Sequence, residues 1–233
     1  MKQKNKNRIW ELDFLKGIAL LIMIYFHVIF DLKEYYSFNI SYSSGLNFYL
    51  GRFSAILFMV LSGVSCTLSK NNLRRGVKLL LLSLFLTIVT TISGPEYSIK
   101  FGILHLLGVS IIIYEYIKGL GNTFLNVIVG LTIYIGVVIM DGMKTDLNFL
   151  FPLGLTNKSF YSADYYPLLP WFGVFLAGVI IGRILYSNRQ SHIKVSLPDS
   201  FVNKVGRRTL FIYLIHQPLI LGLLRVLKII KLI

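Results

Sequence analysis

Four ionisable side chains lie inside the first hydrophobic run of the chain, residues 12–32: Asp13, Lys16, His27 and Asp31. An Asp or Lys at the centre of a spanning helix costs about 2.5–3.5 kcal/mol on insertion scales, and less near the helix ends. Steps of three and four residues keep side chains on one face of a helix. The spacing therefore predicts a polar stripe along one side of a membrane helix, and the stripe needs partners or water.

Two interpretations of the stripe are open. In the structural one, Asp13 and Lys16 form an interfacial ion pair, and His27 and Asp31 form a hydrogen-bonded pair at the outer end. In the functional one the stripe connects the two membrane faces, because residues 13–27 cover roughly 21 Å of a hydrocarbon core about 30 Å thick. Ionisable groups inside a membrane usually serve a function, which favours the second interpretation.

A pocket lined by polar residues from several hydrophobic runs would hold the groups needed for transfer chemistry. Its candidate residues are His27, Asp31, Arg52, His105 and Asp164. They would supply a general base, a carboxylate to orient it and a cation to stabilise an anion. Each histidine taken alone is better explained by a hydrogen bond that bridges two helices, and the convergence of three at one depth favours the functional interpretation.

The elements that must position these residues are membrane helices. The chain is 55% hydrophobic and 15% charged, with a mean hydropathy of +0.68, which excludes a soluble domain with a polar surface. We predict an all-α polytopic membrane bundle of about seven transmembrane helices in a single domain over residues 1–233. The predicted spans are 12–32, 48–69, 76–93, 101–118, 122–140, 165–186 and 208–230.

The net charge of +14 is unevenly distributed along the chain. Basic clusters at 2–8, 70–78 and 183–208 would share one side, so the positive-inside rule predicts a cytoplasmic N-terminus and gives no reason to expect nucleic acid. The single cysteine, Cys66, excludes an intramolecular disulfide and a multi-cysteine metal site, and no metal is expected. Asp13 and Lys16 interrupt the first run, so we expect that helix to be retained rather than cleaved.

Basic residues on the predicted cytoplasmic side are candidates for binding a phosphorylated ligand through charge-assisted hydrogen bonds. They are Lys16, Arg74, Arg75, Arg207 and Arg208. For Arg74 and Arg75, a role in setting the topology is an equally good explanation.

Five segments resemble a known family in their order and spacing. They are Glu-Leu-Asp-Phe-Leu-Lys-Gly-Ile-Ala at 11–19 with His27 after it, Leu-Ser-Gly at 61–63, Phe-Gly-Ile-Leu-His at 101–105, Asp-Tyr-Tyr-Pro-Leu-Leu-Pro-Trp-Phe-Gly at 164–173, and Tyr-Leu-Ile-His-Gln-Pro at 213–218. Together they resemble the bacterial family of unknown function that is grouped with the catalytic domain of heparan-alpha-glucosaminide N-acetyltransferase. The resemblance covers almost the entire chain, with Lys16 where that family usually has arginine.

The resemblance implies a transmembrane acyltransferase that takes acetyl-CoA or another acyl-CoA from the cytoplasm and passes the acyl group to an acceptor on the far side. On this hypothesis the donor-binding residues are Asp13, Lys16, Arg207 and Arg208, and the phosphates of the donor lie near Lys16 and near Arg207 or Arg208. The lysosomal members place their candidate histidine in the loop after the first helix. Loop 33–47 here contains none, so His27 takes that place.

At the outer end, His27, oriented by Asp31, would deprotonate the acceptor, and Arg52 or His105 would stabilise the oxyanion. The residues assigned to the acceptor are Asp164, Trp171, His216 and Gln217. The expected surroundings are a lipid bilayer, in a prokaryotic plasma membrane, and a sugar or glycan acceptor; a homo-oligomer is left open.

Two other classes of function remain open on the sequence. A transporter or channel would also use a polar stripe on the first helix, although seven spans do not divide into equal inverted halves. A non-catalytic membrane partner would use its histidines only to fasten helices together.

Overall fold

The computed structural model describes residues 8–140, 145–147, 149–193 and 200–232. Most of these residues belong to eight helices: α1 Trp10–Tyr36, α2 Gly45–Leu68, α3 Asn72–Ser93, α4 Ile103–Ile117, α5 Asn122–Met140, α6 Leu168–Leu185, α7 Phe201–Arg207 and α8 Thr209–Ile229. Single helical turns at Pro95–Tyr97 and Phe151–Leu153 lie in the connections. Within the described ranges the only strand-like pairing is one bridge between Phe101 and Tyr165. The predicted all-α class is confirmed.

Six of these helices are long and apolar enough to cross a membrane, namely all except α4 and α7. α4 corresponds to the predicted span 101–118 but has 15 residues, which rise roughly 22 Å against a hydrocarbon core of about 30 Å. The bundle is therefore that of a polytopic membrane protein. The orientation stays a prediction, and the basic residues at 2–6 and Lys194 lie outside the described part of the chain.

Two helices begin later than their hydropathy predicts. α6 begins at Leu168 rather than at 165, and Leu169 is non-helical with φ −101° and ψ 122°, because a residue that precedes a proline is disfavoured in the helical region. α4 begins at Ile103 rather than at 101, because the Phe101 carbonyl accepts the N–H of Tyr166 at 2.9 Å. Proline sterics and local backbone pairing, which hydropathy does not report, set these two boundaries.

The chain forms two compact units. Unit 1 consists of Met1–Phe58 and Asn188–Ile233, and unit 2 consists of Met59–Ser187. Unit 1 contains α1, residues 45–58 of α2, α7 and α8; unit 2 contains residues 59–68 of α2 and α3 to α6. The single-domain organisation stays a prediction.

In unit 1, α7 packs directly on the backbone of α1. A Cβ atom added to Gly206 would lie 1.8 Å from the Asp13 carbonyl oxygen, and one added to Gly17 would lie 2.1 Å from the Val202 carbonyl oxygen. The Ser54 hydroxyl of α2 donates to the Ala19 carbonyl of α1 at 2.8 Å. Small residues thus allow the close helix approach typical of membrane proteins.

In unit 2, α6 crosses the end of α2 in the same manner. A Cβ atom added to Gly178 would lie 2.2 Å from the Val60 carbonyl oxygen, and one added to Gly63 would lie 2.2 Å from the Phe175 carbonyl oxygen. Phe175 is itself fully buried. Small residues therefore also allow α6 to approach α2 closely.

Candidate active site

Two of the membrane histidines, His27 of α1 and His216 of α8, lie against each other in unit 1. Their ring centroids are 4.8 Å apart at an interplanar angle of 81°. His27 Nδ1 lies 2.9 Å from the Met23 carbonyl oxygen, and His216 Nδ1 lies 2.5 Å from the Tyr213 carbonyl oxygen. A carbonyl oxygen only accepts, so Nδ1 carries the hydrogen in both rings, and Nε2 of each neutral ring is left as an acceptor.

The same two helices meet again one turn away through Asp31 and Gln217. Gln217 Nε2 donates to both carboxylate oxygens of Asp31, at 2.9 and 3.0 Å, and Asp31 is fully buried. The expected orientation of His27 by Asp31 is therefore wrong in detail. Among the described residues, the hydrogen bond that orients His27 comes from the Met23 carbonyl, and Asp31 binds Gln217 instead.

At the predicted donor end of α1, Asp13 binds Arg8. Arg8 donates to the Asp13 carboxylate from Nε at 2.5 Å and from Nη2 at 3.1 Å, and the Asp13 side chain is 8% exposed. The sequence suggests only a topological role for Arg8, because it lies before the first hydrophobic run. A bidentate guanidinium–carboxylate pair fixes the start of α1.

The basic end of α7 lies beside this pair. Gly206 contacts the Asp13 carbonyl, and the next two residues are Arg207, which is partly buried, and Arg208, which is exposed. Lys16 is also partly buried on α1. Tertiary packing in unit 1 thus brings the chain around Asp13 to the predicted donor residues of α7.

The predicted stripe on α1 runs through Asp13, Lys16, Leu20, Met23, His27 and Asp31, so its middle is apolar. Leu20 and Met23 lie between its two ends and are buried, at 0% and 7% exposure. The two polar ends are therefore separate sites joined by an apolar middle.

A buried residue to which the sequence assigns no role, Glu11, ties α1 to residues 188–193. Its carboxylate accepts the Ser191 hydroxyl at 2.7 Å and the His192 N–H at 2.9 Å. Glu11 is 5% exposed. The sequence shows that Glu11 is an acidic residue in the first turn of a helix. It could not predict the partners of Glu11, because they lie about 180 residues away in the chain.

Arg52 and Trp171 each have an aromatic partner. The exposed Arg52 guanidinium lies over the Phe48 ring of α2, 5.0 Å from its centroid, which is a cation–π distance. In unit 2, Trp171 packs edge-on against Tyr166 with centroids 5.5 Å apart.

His105, in unit 2, uses both of its ring nitrogens at the start of α4. Nδ1 accepts the Gly102 N–H at 3.3 Å, and Nε2 lies 3.2 Å from the Thr87 hydroxyl. The ring is 4% exposed and stacks on Phe101. This arrangement is typical of a histidine that holds two helices together. Nothing in the sequence marks Thr87 as its partner.

Asp164 accepts a hydrogen bond at the same end of α4. Its Oδ2 accepts the Ile103 N–H at 2.9 Å, where a negative charge complements the helix dipole. Burial nevertheless raises the pKa of the Asp164 carboxyl to about 6, while that hydrogen bond acts in the opposite direction. Burial also raises the pKa of the neighbouring Tyr165 hydroxyl to about 12.

Within each unit the structure brings some of the predicted residues together. Unit 1 holds His27, His216, Asp31 and Gln217 together, and unit 2 holds His105 and Asp164 together. The single pocket predicted from five residues stays a prediction. Among the described residues, no group of three or more His, Cys, Asp or Glu side chains is placed to hold a metal ion.

Comparison with known protein families gives a match over residues 8–218 to the family described as heparan-alpha-glucosaminide N-acetyltransferase, catalytic. The chain belongs to this family. No curated protein matches it, and no solved structure matches it. The resemblance drawn from the five segments is confirmed.

The heparan-alpha-glucosaminide N-acetyltransferase family match includes every residue proposed above for chemistry, from Asp13 to Gln217. Together with the six candidate membrane spans, it identifies an integral membrane protein of an acetyltransferase family.

In this member of the acetyltransferase family, we expect Asp164 to make the free energy of unfolding depend on pH. Its folded-state pKa of about 6 lies above the ordinary value of 3.8. The stabilisation that the protonated Asp164 carboxyl gives to the folded state is therefore fully present below about pH 4. It is lost as the pH rises through about 6. We expect the thermal unfolding midpoint in detergent, relative to that of Asp164→Asn, to fall between about pH 4.5 and about pH 7.

The matched control for this prediction is Asp146→Asn, at an exposed loop position. It should follow the wild-type pH profile. An Asp164→Asn profile parallel to the wild type would contradict the prediction.

Proposed function

We propose that the chain transfers an acyl group, most simply acetyl, from cytoplasmic acyl-CoA to a hydroxyl or amino group of a sugar-like acceptor on the outer side of a prokaryotic plasma membrane. The family match supports the transferase class. The observation that carries the proposal is the state of His27. Its Nδ1–H is bound to the Met23 carbonyl, and among the described residues its Nε2 lone pair has no partner.

A histidine held in this way is suited to general base catalysis. Nε2 accepts the proton of the acceptor O–H or N–H as the acceptor oxygen or nitrogen attacks the thioester carbonyl. The tetrahedral intermediate collapses with cleavage of the carbon–sulfur bond, and the imidazolium returns the proton to the CoA thiolate. Of the two predicted oxyanion partners we assign this role to Arg52, because both ring nitrogens of His105 already have hydrogen-bond partners.

The direct test is transfer of radiolabelled acetyl from acetyl-CoA to glucosamine by the purified protein in detergent and in liposomes. The proposal expects acetyl-CoA-dependent formation of labelled product. Solute flux across the liposome that does not require acetyl-CoA, without product, would favour the transporter class instead.

Binding of acetyl-CoA at the predicted donor site can be tested separately. Arg207→Gln/Arg208→Gln removes two cations beside Asp13, and we expect KM for acetyl-CoA to rise by about 10–100-fold, since a hydrogen bond to a charged group contributes about 1.5–3 kcal/mol. KM for the acceptor should not change. S-acetylpantetheine lacks the nucleotide phosphates. Its KM should therefore be the same in the wild-type protein and in the double variant.

The control variant is Arg225→Gln, on the exposed side of α8, which should leave both KM values unchanged. An equal loss with acetyl-CoA and S-acetylpantetheine would contradict phosphate binding by Arg207 and Arg208.

A further inference from the structure

The contact between α1 and α8 is rich in hydrogen-bond acceptors that have no donor. In the part of the chain that the structure describes, four buried side-chain oxygen or nitrogen atoms lack a hydrogen-bond partner. Two of them, His216 Nε2 and Gln217 Oε1, belong to consecutive residues. A buried acceptor left without a donor destabilises the folded protein, so two neighbouring ones point to a ligand that supplies donors.

The orientation of the Gln217 amide is fixed by its neighbour. Both oxygens of the Asp31 carboxylate lie within 3.0 Å of Gln217 Nε2, and a carboxylate only accepts. The NH₂ group must therefore face Asp31. The carbonyl oxygen consequently faces away from Asp31, where it is buried and unpartnered.

The two histidines present the same kind of group. Both Nδ1–H groups are used on backbone carbonyls, so both Nε2 atoms are acceptors. His216 is 8% exposed, which places its unpartnered nitrogen in the interior beside the His27 ring. This contact therefore presents three acceptors and is suited to a hydrogen-donating group rather than to an oxyanion.

We propose that the Asp31–Gln217 pair positions the acyl acceptor. Asp31 holds the Gln217 amide so that its carbonyl oxygen, together with His216 Nε2, accepts hydrogen bonds from the O–H or N–H group that attacks beside His27. This assignment rests on the proposed acyl transfer. Asp31 is then a positioning residue that never touches the substrate, and Gln217 and His216 bind the acceptor.

Exchange of the two residues is the sharpest test, because each substitution preserves shape. Asp31→Asn alone places an amide against an amide and frees Gln217 to turn its NH₂ toward the acceptor. Gln217→Glu alone places two carboxylates together. In the double variant D31N/Q217E, the NH₂ group of the amide introduced at position 31 donates to one oxygen of the carboxylate introduced at position 217, and the other oxygen of that carboxylate remains an acceptor.

We expect each single variant to raise KM for glucosamine at least tenfold with little change in KM for acetyl-CoA, and the double variant to return KM to within about threefold of wild type. The control Tyr25→Phe removes an exposed hydrogen bond between α1 and α2 and should leave both constants unchanged. Calorimetric titration of glucosamine without acetyl-CoA measures the same binding independently of transfer.

The outcomes separate this inference from the proposed function. Two results would overturn the positioning role alone. One is acetyl transfer with a KM for glucosamine that is unchanged in the single variants. The other is a double variant whose KM for glucosamine is as high as that of the single variants. Absence of transfer, together with glucosamine binding that depends on Gln217, would overturn only the proposed transferase activity. A wild-type protein that neither transfers acetyl to glucosamine nor binds it would overturn both.

Discussion

Replacing His27 by alanine is expected to lower kcat for acetyl transfer by about 10²–10⁴-fold, the usual contribution of a general base. His27 Nε2 is the ring nitrogen that has no hydrogen-bond partner among the described residues and belongs to a residue that is not fully buried, so an acceptor can reach it. KM for acetyl-CoA should change little, because the donor residues lie at the other end of α1. The measurement is steady-state transfer of labelled acetyl, with the folded fraction determined by size-exclusion chromatography.

His192→Ala is the matched control for this prediction. His192 is an exposed histidine of unit 1 whose backbone N–H donates to Glu11, and its replacement should leave kcat unchanged. Wild-type kcat in folded His27→Ala protein would remove His27 from the mechanism.

Among the substitutions proposed in this protein, replacing Gly206 by alanine is expected to lower the thermal stability most. The added Cβ would lie 1.8 Å from the Asp13 carbonyl oxygen and 2.9 Å from the Gly17 nitrogen, and these are backbone atoms that cannot move aside cheaply. Overpacking of this kind costs about 1–3 kcal/mol, which for a chain of this length corresponds to a fall in Tm of roughly 2–12 °C. Thermal unfolding followed by circular dichroism in detergent measures it.

The same substitution should also affect the donor site. Displacement of α7 from α1 moves Arg207 and Arg208, so KM for acetyl-CoA should rise in the Gly206→Ala protein that remains folded. Gly222→Ala in α8 is the control, because nothing lies within 4 Å of its added Cβ, and alanine favours a helix over glycine by about 1 kcal/mol. If Gly206→Ala and Gly222→Ala unfold at the same temperature, α7 does not pack on α1 as described.

Much of the helical architecture could be predicted, because a bilayer requires every backbone group in a span to be satisfied internally. Long apolar runs must then be helices, and all seven predicted spans correspond to helices. The starts of α4 and α6 could not be predicted from hydropathy. They depend on the pairing of Phe101 with Tyr166 and on the two prolines before Trp171.

The polar positions of α1 could be predicted from the sequence, but the residues that contact them could not. The spacing of Asp13, His27 and Asp31 identified the polar positions of α1, because local helix geometry fixes which side chains share a face. It did not identify the residues that bind them, since Gln217 lies 186 residues from Asp31.

The sequence by itself determined a membrane helix bundle, its family and the polar positions on its first helix, because hydropathy, periodicity and motif order are local properties of the chain. Only the tertiary structure decided that His27 lies against His216, that Asp31 orients Gln217 rather than His27, and that His105 is engaged by Gly102 and Thr87. Helix packing selects these partners, and packing depends on small residues such as Gly206 that allow two backbones to meet.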